Sequence, residues 1–309
     1  MDSYQDCFHT KGTFTIRPDF AHELWRFGKA EPRPGPPGDY DPGAMADVPD
    51  FLACLDGVVV PLGEATIPVT DEGLLRGDGV FEVMRLYRGR PFALDDHLRR
   101  MAGSAGNLRL ELDVSAVRSD IETLLAAAEP GDALLRVLVT RGGRRIVLLE
   151  ELPAHPASIR LATVTYAPPR ILDGVKSLSY AGNMLATRLA KERGADEALL
   201  VTPHGRVLEA PTSTFFWAAG GTLRTPPLDD HILDSITRRV LVEELEVSQE
   251  PCPLDDLAHA EEAFLASTIR EVQAIAAVDD RELPTDGPLT ARAAERFRAR
   301  VRAALEPVG

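Results

Sequence analysis

Apolar and polar residues follow two different periods in the first half of the chain. The two-residue period typical of strands occurs at 80–87, and the segments 52–62, 134–140 and 146–149 are also predicted as strands. Apolar residues three or four positions apart, as in amphipathic helices, occur at 94–108 and 114–128. The Asp56-Gly57 pair predicts a tight turn inside the first strand segment, which is therefore a hairpin. The mixture predicts an α/β or α+β domain.

The second half has the same mixed character. Strands are predicted at 159–166, 197–201, 207–208, 214–218, 222–224 and 262–266. Helices are predicted at 179–192, which Gly194 ends, and at 234–245, which Asp234 or Ser235 caps. The segment 151–157, ELPAHPA, is flanked by prolines and is the best candidate for a linker between two domains.

The first 44 residues differ in composition from the rest. Positions 31–44 contain five prolines and three glycines, a pattern typical of an unfolded linker. We predict that 1–44 is a disordered extension, with a docking segment as the alternative. The remaining chain is predicted to form a smaller N-terminal α/β domain at 45–152 and a larger C-terminal one at 153–309.

The charge balance excludes several classes of partner. Acidic residues outnumber basic ones by 48 to 34, which gives a net charge of −14 and makes nucleic acid and anionic membranes unfavourable partners. No segment reaches the ~18 consecutive apolar residues of a membrane helix. Three scattered cysteines are too few for a disulfide framework or a zinc site. We therefore expect a cytoplasmic protein that does not depend on a metal.

Lysine is rare in this chain. Among 34 basic residues only Lys11, Lys29, Lys176 and Lys191 are lysines, and arginine cannot replace lysine in a Schiff base. Lys11 and Lys29 lie in the predicted extension, and Lys191 is predicted on the exposed face of a helix. Lys176 follows a turn at 172–174 among apolar neighbours, where desolvation would lower its pKa and make the amine nucleophilic. By position alone, an exposed lysine at a strand edge remains the alternative.

Four segments resemble the class IV aminotransferases, the fold type IV pyridoxal phosphate enzymes. They are 75–87 (LRGDGVFEVMRLY), 95–104 (DDHLRRMAGS), 175–209 (VKSLSYAGNM…RVLE) and 226–239 (PPLDDHILDSITRR). The order and spacing of the segments are also those of the family. The resemblance implies an α/β (α+β) protein of fold type IV, with pyridoxal 5'-phosphate in a cleft between two domains. It also implies a homodimer in which residues near 76–81 reach the partner's site.

The resemblance assigns a role to each matched residue around the cofactor. Lys176 matches the lysine that forms the Schiff base and moves a proton, and Glu209 matches the glutamate that pairs with the pyridine nitrogen. Arg100 matches the arginine that binds the phosphate. The other matches are Tyr180 for the phenolic oxygen and Ile236, Thr237, Ser267 and Thr268 for the phosphate. Independently of the family, free amides at the start of a helix suit a phosphate.

The residues implied at the substrate are mostly arginines. Arg136 and Arg85 match arginines of the branched-chain group, while Arg144 and Arg145 lie where the D-amino acid group binds carboxylates. For Arg145, an exposed arginine at a hairpin tip is the alternative. Phe81 and Arg76 belong to the segment near the partner's site. This chain departs from the family pattern at 210–214 (APTST) and at Ser235, so the resemblance does not determine which substrate it uses.

The family implies a ping-pong aminotransferase acting through a Schiff base. We expect amino transfer between a small or branched-chain amino acid and a 2-oxo acid. The first alternative is an aminodeoxychorismate lyase, which eliminates pyruvate and forms 4-aminobenzoate. A non-catalytic protein of the same fold is a second alternative, against which the retention of both Lys176 and Glu209 argues.

Overall fold

The computed structural model describes residues 51–306. The predicted extension at 1–44 lies outside the described residues. Within the described range, two β-sheets and six α-helices account for the regular structure. No helix in this range is long and apolar enough to cross a membrane, and no group of three or more His, Cys, Asp or Glu residues there is placed to hold a metal ion.

The first sheet is antiparallel throughout and has the order β2-β1-β6-β5-β3-β4. Its strands are β1 (Leu52–Leu55), β2 (Val58–Pro61), β3 (Gly79–Tyr87), β4 (Arg90–Pro91), β5 (Ala133–Thr140) and β6 (Arg145–Glu150). Asp56 and Gly57 both have positive φ, 51° and 90°, as expected in a two-residue hairpin turn. The associated helices are α1 (Glu72–Arg76), α2 (Leu94–Asn107) and α3 (Val114–Ala128).

The two faces of this sheet have different roles. Side chains alternate along a strand, so one face of β3 carries Met84 and Leu86, which pack in a core with residues of α2 and α3. Asp113 caps α3 by accepting hydrogen bonds from the amides of Ser115 and Ala116 at 2.9 and 3.0 Å. The opposite face carries Phe81, and it borders a cavity described below.

The second sheet is mixed and has the order β12-β11-β10-β14-β15-β7-β8-β9-β13, with β16 paired to β15. Its strands are β7 (Ser158–Thr165), β8 (Glu197–Val201), β9 (Arg206–Val207), β10 (Thr214–Ala219), β11 (Thr222–Thr225), β12 (Val247–Gln249), β13 (Cys252–Pro253), β14 (Glu262–Ser267), β15 (Glu271–Val278) and β16 (Arg281–Glu282). The pairs β7–β8, β7–β15 and β11–β12 are parallel. The helices are α4 (Ala181–Glu192), α5 (Ile236–Glu244) and α6 (Pro288–Leu305).

Helices cover the second sheet through small or aromatic side chains. Ala186 and Ala190 of α4 pack against alanines of β7 and β8, which allows a close approach. In a separate cluster, Phe216 and Phe264 stack with their centroids 4.8 Å apart, and Phe297 of α6 belongs to the same cluster. These contacts fix the strand ends whose loops border the cavity.

Six elements were not predicted, and three of them are the short strands β12, β13 and β16. The short helix α1 lies in a segment without helical periodicity, β15 (EVQAIAAV) is interrupted by a glutamine, and α6 is rich in alanine and arginine with few large apolar residues. The α6 helix begins at Pro288, and its first turn is capped from another strand. Glu262 accepts hydrogen bonds from the amides of Leu289 and Thr290 at 3.0 and 2.7 Å. That support is tertiary, so the local pattern did not reveal it.

Candidate active site

A cavity of about 330 Å³ lies between the outer face of the first sheet and loops of the second. The first sheet contributes Phe81, Val83 and Arg136 to its wall. The chain segment that carries Lys176 forms another wall. The remaining walls come from loops at 208–214 and 231–235 and from the turn at 267–269.

The segment that carries Lys176 is fixed by backbone hydrogen bonds. The amide of Phe81 donates to the carbonyl of Lys176 at 3.1 Å, and the amide of Leu178 donates to the carbonyl of Gly79 at 2.9 Å. The amide of Lys176 donates to Ser104 Oγ of α2 at 3.0 Å. A Cβ at position 79 would lie 2.5 Å from the carbonyl oxygen of Val139 on the neighbouring strand β5, so the start of β3 requires glycine.

The Lys176 amine lies in the cavity against aromatic rings. Its Nζ atom is 4.2 Å from the centroid of the Phe81 ring and 5.6 Å from that of Tyr180. Burial lowers the pKa of Lys176 from its ordinary value of 10.5 to about 8, and the nearby Arg100 contributes in the same direction. A neutral amine is therefore accessible near physiological pH.

Glu209 lines the same cavity, two residues after β9. Its Oε1 atom accepts a hydrogen bond from the amide of Leu233 at 3.1 Å. Burial raises the pKa of Glu209 to about 7, although this hydrogen bond and the charge of Lys176 oppose the shift. A carboxylate in such a position is stabilised by any cationic N–H group that enters the cavity.

Arg100 is held at the cavity by a buried carboxylate. Its Nε and Nη2 atoms donate to Oε1 and Oε2 of Glu82 on β3 at 2.7 and 2.6 Å. The ring of His97 approaches Glu82 through Nδ1 at 2.8 Å, and both side chains are fully buried. Burial alone would raise the pKa of Glu82, but Arg100 outweighs it and lowers that pKa to about 2. Burial lowers the pKa of His97.

Neither Glu82 nor His97 was among the predicted site residues. The sequence did contain a signal for both. Glu82 is one of two charged residues, with Arg85, in the largely apolar strand β3, and a buried charged residue is rarely without a partner. His97 lies three positions before Arg100 in α2, which places both side chains on the same side of the helix.

The start of α5 lies beside Arg100. Arg100 Nη1 donates to the carbonyl of Asp234 at 3.1 Å, and Ser235 is the N-cap residue, accepting from the amide of Arg238 at 3.3 Å. Ile236 and Thr237 form the buried first turn next to the cavity-lining Ser235. A guanidinium beside a helix N-terminus is a favourable setting for a phosphate group.

The loop after Glu209 supplies polar groups to the cavity. The Tyr180 hydroxyl donates to the carbonyl of Pro211, and the Tyr180 ring meets Phe81 edge-on at 5.3 Å between centroids. The hydroxyls of Ser213 and Thr214 line the cavity and are buried, and neither has a hydrogen-bond partner within residues 51–306. Buried hydroxyls of this kind are costly unless a ligand or water satisfies them.

The structure brings most of the predicted residues together. Those that line the cavity are Lys176, Glu209, Arg100, Tyr180, Ser267, Thr268, Arg136 and Phe81. The predicted Ile236 and Thr237 lie in the turn next to it, and four predicted arginines do not line it. Arg85 pairs with Glu271 at 3.0 Å and Arg144 with Asp56 at 2.6 Å. Arg145 pairs with Asp120 at 2.7 Å and Arg76 with Glu72 at 2.6 Å.

Comparisons with known proteins show which family this chain is similar to. The family model described as amino-transferase class IV matches residues 79–278. A Methanocaldococcus jannaschii protein, provisionally named a branched-chain-amino-acid aminotransferase, is 33% identical over 79% of this chain and 94% of its own length. For a D-alanine aminotransferase of Listeria innocua the identity is 30%, over 76% and 90% of the two chains. For an aminodeoxychorismate lyase of Bacillus subtilis it is 29%, over 68% and 80%.

Solved structures agree with the sequence comparisons. A fold IV-transaminase from Curtobacterium pusillum superposes with a TM-score of 0.73 at 31% identity, covering 81% of this chain and 99% of its own. The two sheets of this chain, with Lys176 and Glu209 in the cavity between them, therefore have the fold of a fold type IV pyridoxal phosphate enzyme. The chain belongs to the class IV aminotransferase family. The predicted fold class, enzyme class and cofactor are confirmed.

The residues of the cavity fit pyridoxal 5'-phosphate. Glu209 has an oxygen available for the protonated ring nitrogen, and Arg100 beside the start of α5 suits the phosphate. The partnerless hydroxyls of Ser213 and Thr214 show that the cavity wall is built for a polar ligand. Lys176 supplies the amine that the aldehyde of this cofactor requires.

The depressed pKa of Lys176 leads to a testable titration. In the cofactor-free full-length chain, the reactivity of this amine toward a limiting reductive-methylation reagent should rise with pH with a midpoint of about 8, because only the neutral amine reacts. Mass spectrometry of the digested protein measures it, with exposed Lys191 as the internal reference. A midpoint above about 10, the value of an ordinary lysine, would refute the desolvated environment.

Proposed function

We propose that this aminotransferase moves an amino group between a small or branched-chain amino acid and a 2-oxo acid. The observation that carries the proposal is the presence of Lys176 and Glu209 in one cavity, each with a pKa shifted toward neutrality. The apolar wall formed by Phe81, Val83 and Leu172 suits a small apolar substrate side chain. The 2-oxo acid and the amino acid are proposed to use the cavity in turn, as in a ping-pong reaction.

Each group of the cavity has a defined task. When bound, pyridoxal phosphate supplies an aldehyde that condenses with amines and a ring that delocalises the charge of a carbanion. Lys176 provides the neutral amine and then moves a proton to and from the substrate Cα. Glu209, ionised, holds the proton on the ring nitrogen. Arg100, oriented by Glu82, is proposed to hold the phosphate together with the start of α5.

The hydrogen bonds around Lys176 favour proton transfer. Both its amide and its carbonyl are engaged, so the backbone cannot drift while the side chain moves. Phe81 and Tyr180 flank the amine and reduce its access to water. Low hydration lowers the pKa of the amine, which makes its neutral form more accessible. It also strengthens the interaction of the amine with charges that develop beside it.

An aminodeoxychorismate lyase is the second candidate function. The similarity to the Bacillus subtilis lyase supports it, since elimination of pyruvate uses the same lysine chemistry as transamination. With Arg100 proposed to hold the phosphate, Arg136 remains as a guanidinium in the cavity wall that suits a substrate carboxylate. The choice between the two depends on the substrate, so a substrate panel separates them.

We predict that the purified protein transaminates a branched-chain or small apolar amino acid with 2-oxoglutarate or pyruvate. Lys176→Ala should lower kcat by a factor on the order of 10³ or more, because it removes the nucleophile and the proton carrier. The matched control is Lys191→Ala, which replaces an exposed lysine of α4 and should retain full activity. Amino donors of both L and D configuration, and aminodeoxychorismate, complete the panel.

The outcomes separate the candidates. Release of pyruvate and 4-aminobenzoate from aminodeoxychorismate, without amino transfer from any donor, would replace the transaminase with the lyase. No turnover in any assay by a protein that binds the cofactor would support a non-catalytic role. Equal loss of activity in both lysine variants would contradict the assignment of Lys176.

We propose that the working form is a homodimer. Leu74 and Leu75 of α1 are 57% and 58% exposed, an unusual position for two adjacent leucines. The helix is nevertheless held firmly, since its N-cap Asp71 accepts hydrogen bonds from Gly73 N at 2.7 Å and from Thr140 Oγ1 at 2.9 Å. A rigid helix that presents apolar side chains suits a second copy of the chain, in keeping with the family.

The dimer has its own test. Replacing Leu74 and Leu75 together by aspartate should convert the dimer to a monomer in multi-angle light scattering, because charges would replace the apolar contact. Val58→Asp is the control, since Val58 is similarly exposed, at 62%, on the β1–β2 hairpin. A monomeric wild-type protein, or a double variant that remains dimeric, would contradict the proposal.

We also propose a cytoplasmic location and a division into domains at 45–152 and 153–309. Cys54 and Cys252 are buried free thiols, which are typical of a reducing compartment. The first sheet ends at Glu150 and the second begins at Ser158, and this supports a boundary in the segment between them.

A further inference from the structure

The turn between β14 and β15 carries an unusual pair of residues. Ser267, Thr268 and Ile269 line the cavity, and the next two residues, Arg270 and Glu271, make ion pairs on different sides of the turn. Glu271 has a φ of 58°, the left-handed conformation that residues other than glycine rarely adopt. Such a conformation persists only where the surroundings impose it.

Arg270 connects this turn to β8. Its guanidinium forms an ion pair with Glu197, whose side chain is only 3% exposed, and donates to Gln273 Oε1 at 2.6 Å. The amide of Arg270 donates to Ser267 Oγ at 3.3 Å. The guanidinium therefore has several fixed partners and restricts the turn from within.

Glu197 extends the connection to a second loop of the cavity wall. Its Oε1 atom accepts a hydrogen bond from the Thr212 hydroxyl at 3.2 Å. Thr212 belongs to the loop that follows Glu209 and itself lines the cavity. One buried carboxylate thus joins the two loops, which lie at neighbouring ends of β10 and β14, where Thr214 is paired with Ala266. Burial raises the pKa of Glu197, so its ionised form depends on Arg270.

Glu271 holds the turn from the other side. Its Oε1 atom accepts a hydrogen bond from the Tyr87 hydroxyl at 2.9 Å and pairs with Arg85 at 3.0 Å, both on β3 of the first sheet. Arg298 of α6 donates to Oε2 at 3.1 Å. The turn is therefore anchored to both sheets, and the anchors explain how the left-handed residue is maintained.

We propose that Arg270 and Glu197 are positioning residues, whose ion pair sets the separation between the turn at 267–269 and the loop at 210–214 and so places the carboxylate-bearing substrate. The inference rests on the proposed aminotransferase function. Neither residue lines the cavity, so both act through Thr212 and the turn. Displacement of a substrate-binding wall weakens substrate and transition-state binding alike, which raises KM with little change in kcat.

The test compares Arg270→Met, Glu197→Gln and the charge-neutral double variant with wild type. The matched control pair is Arg160→Met and Glu282→Gln, which removes an ion pair of 2.8 Å that is 47% and 70% exposed at β7 and β16. For each protein, kcat and KM are measured for the amino donor and the 2-oxo acid. Cofactor affinity is measured by fluorescence titration of the apoprotein, and the melting temperature by circular dichroism.

Arg270→Met should raise both KM values about tenfold, with kcat within about threefold of wild type, as misplacement of a substrate-binding wall implies. The control pair should leave both constants unchanged. Arg270→Lys keeps the charge but not the fork of donors, and should give an intermediate KM. The double variant avoids an uncompensated buried charge, and it should show the same rise in KM if Arg270→Met proves unstable.

Each other outcome overturns the inference. If wild type transaminates and the Arg270 and double variants match the control pair, the positioning role is wrong and the proposed function stands. A lower melting temperature with unchanged KM would show a purely structural ion pair. A wild-type protein without transaminase activity removes the proposed function and this inference together.

Discussion

The segment that carries Lys176 runs beside β3 and is hydrogen-bonded to it at two points. A third bond, from the Lys176 amide to Ser104 Oγ, attaches it to α2. Gly79, which accepts one of these bonds, has no side chain and so allows β3 to start close to the carbonyl of Val139 on β5. The second sheet then supplies Glu209 and the surrounding loops. The position of one lysine thereby depends on contacts from the first sheet, while its partners come from the second.

Charge pairing explains how an acidic protein holds two arginines at the cavity. Glu82 neutralises Arg100 and orients it, and Glu150 pairs with Arg136 at 2.7 and 2.8 Å. These pairs leave Lys176 and Glu209 as the groups whose protonation is poised near neutrality. Groups with shifted pKa values are concentrated where catalysis needs them, and here burial is the main cause of both shifts.

The sequence reveals the site better than it reveals the fold around it. Lys176 could be singled out because the chain contains few lysines, and family motifs located Glu209 and Arg100. The strand carrying Arg85 was also predicted correctly. Its contact with Glu271 could not be, because that contact depends on how β15 packs beside the first sheet. The helix α6 was not predicted for the same reason, because the cap on its first turn comes from Glu262 of β14.

Covalent capture of the cofactor shows directly whether Lys176 is the residue that forms the Schiff base. The full-length protein is incubated with pyridoxal 5'-phosphate, reduced with borohydride, digested and mapped by mass spectrometry. The structure predicts a single stoichiometric phosphopyridoxyl group on Lys176, with Lys191 unmodified. Labelling of Lys191 or of Lys11 and Lys29 in preference to Lys176, or an absence of labelling, would show that Lys176 does not form the Schiff base.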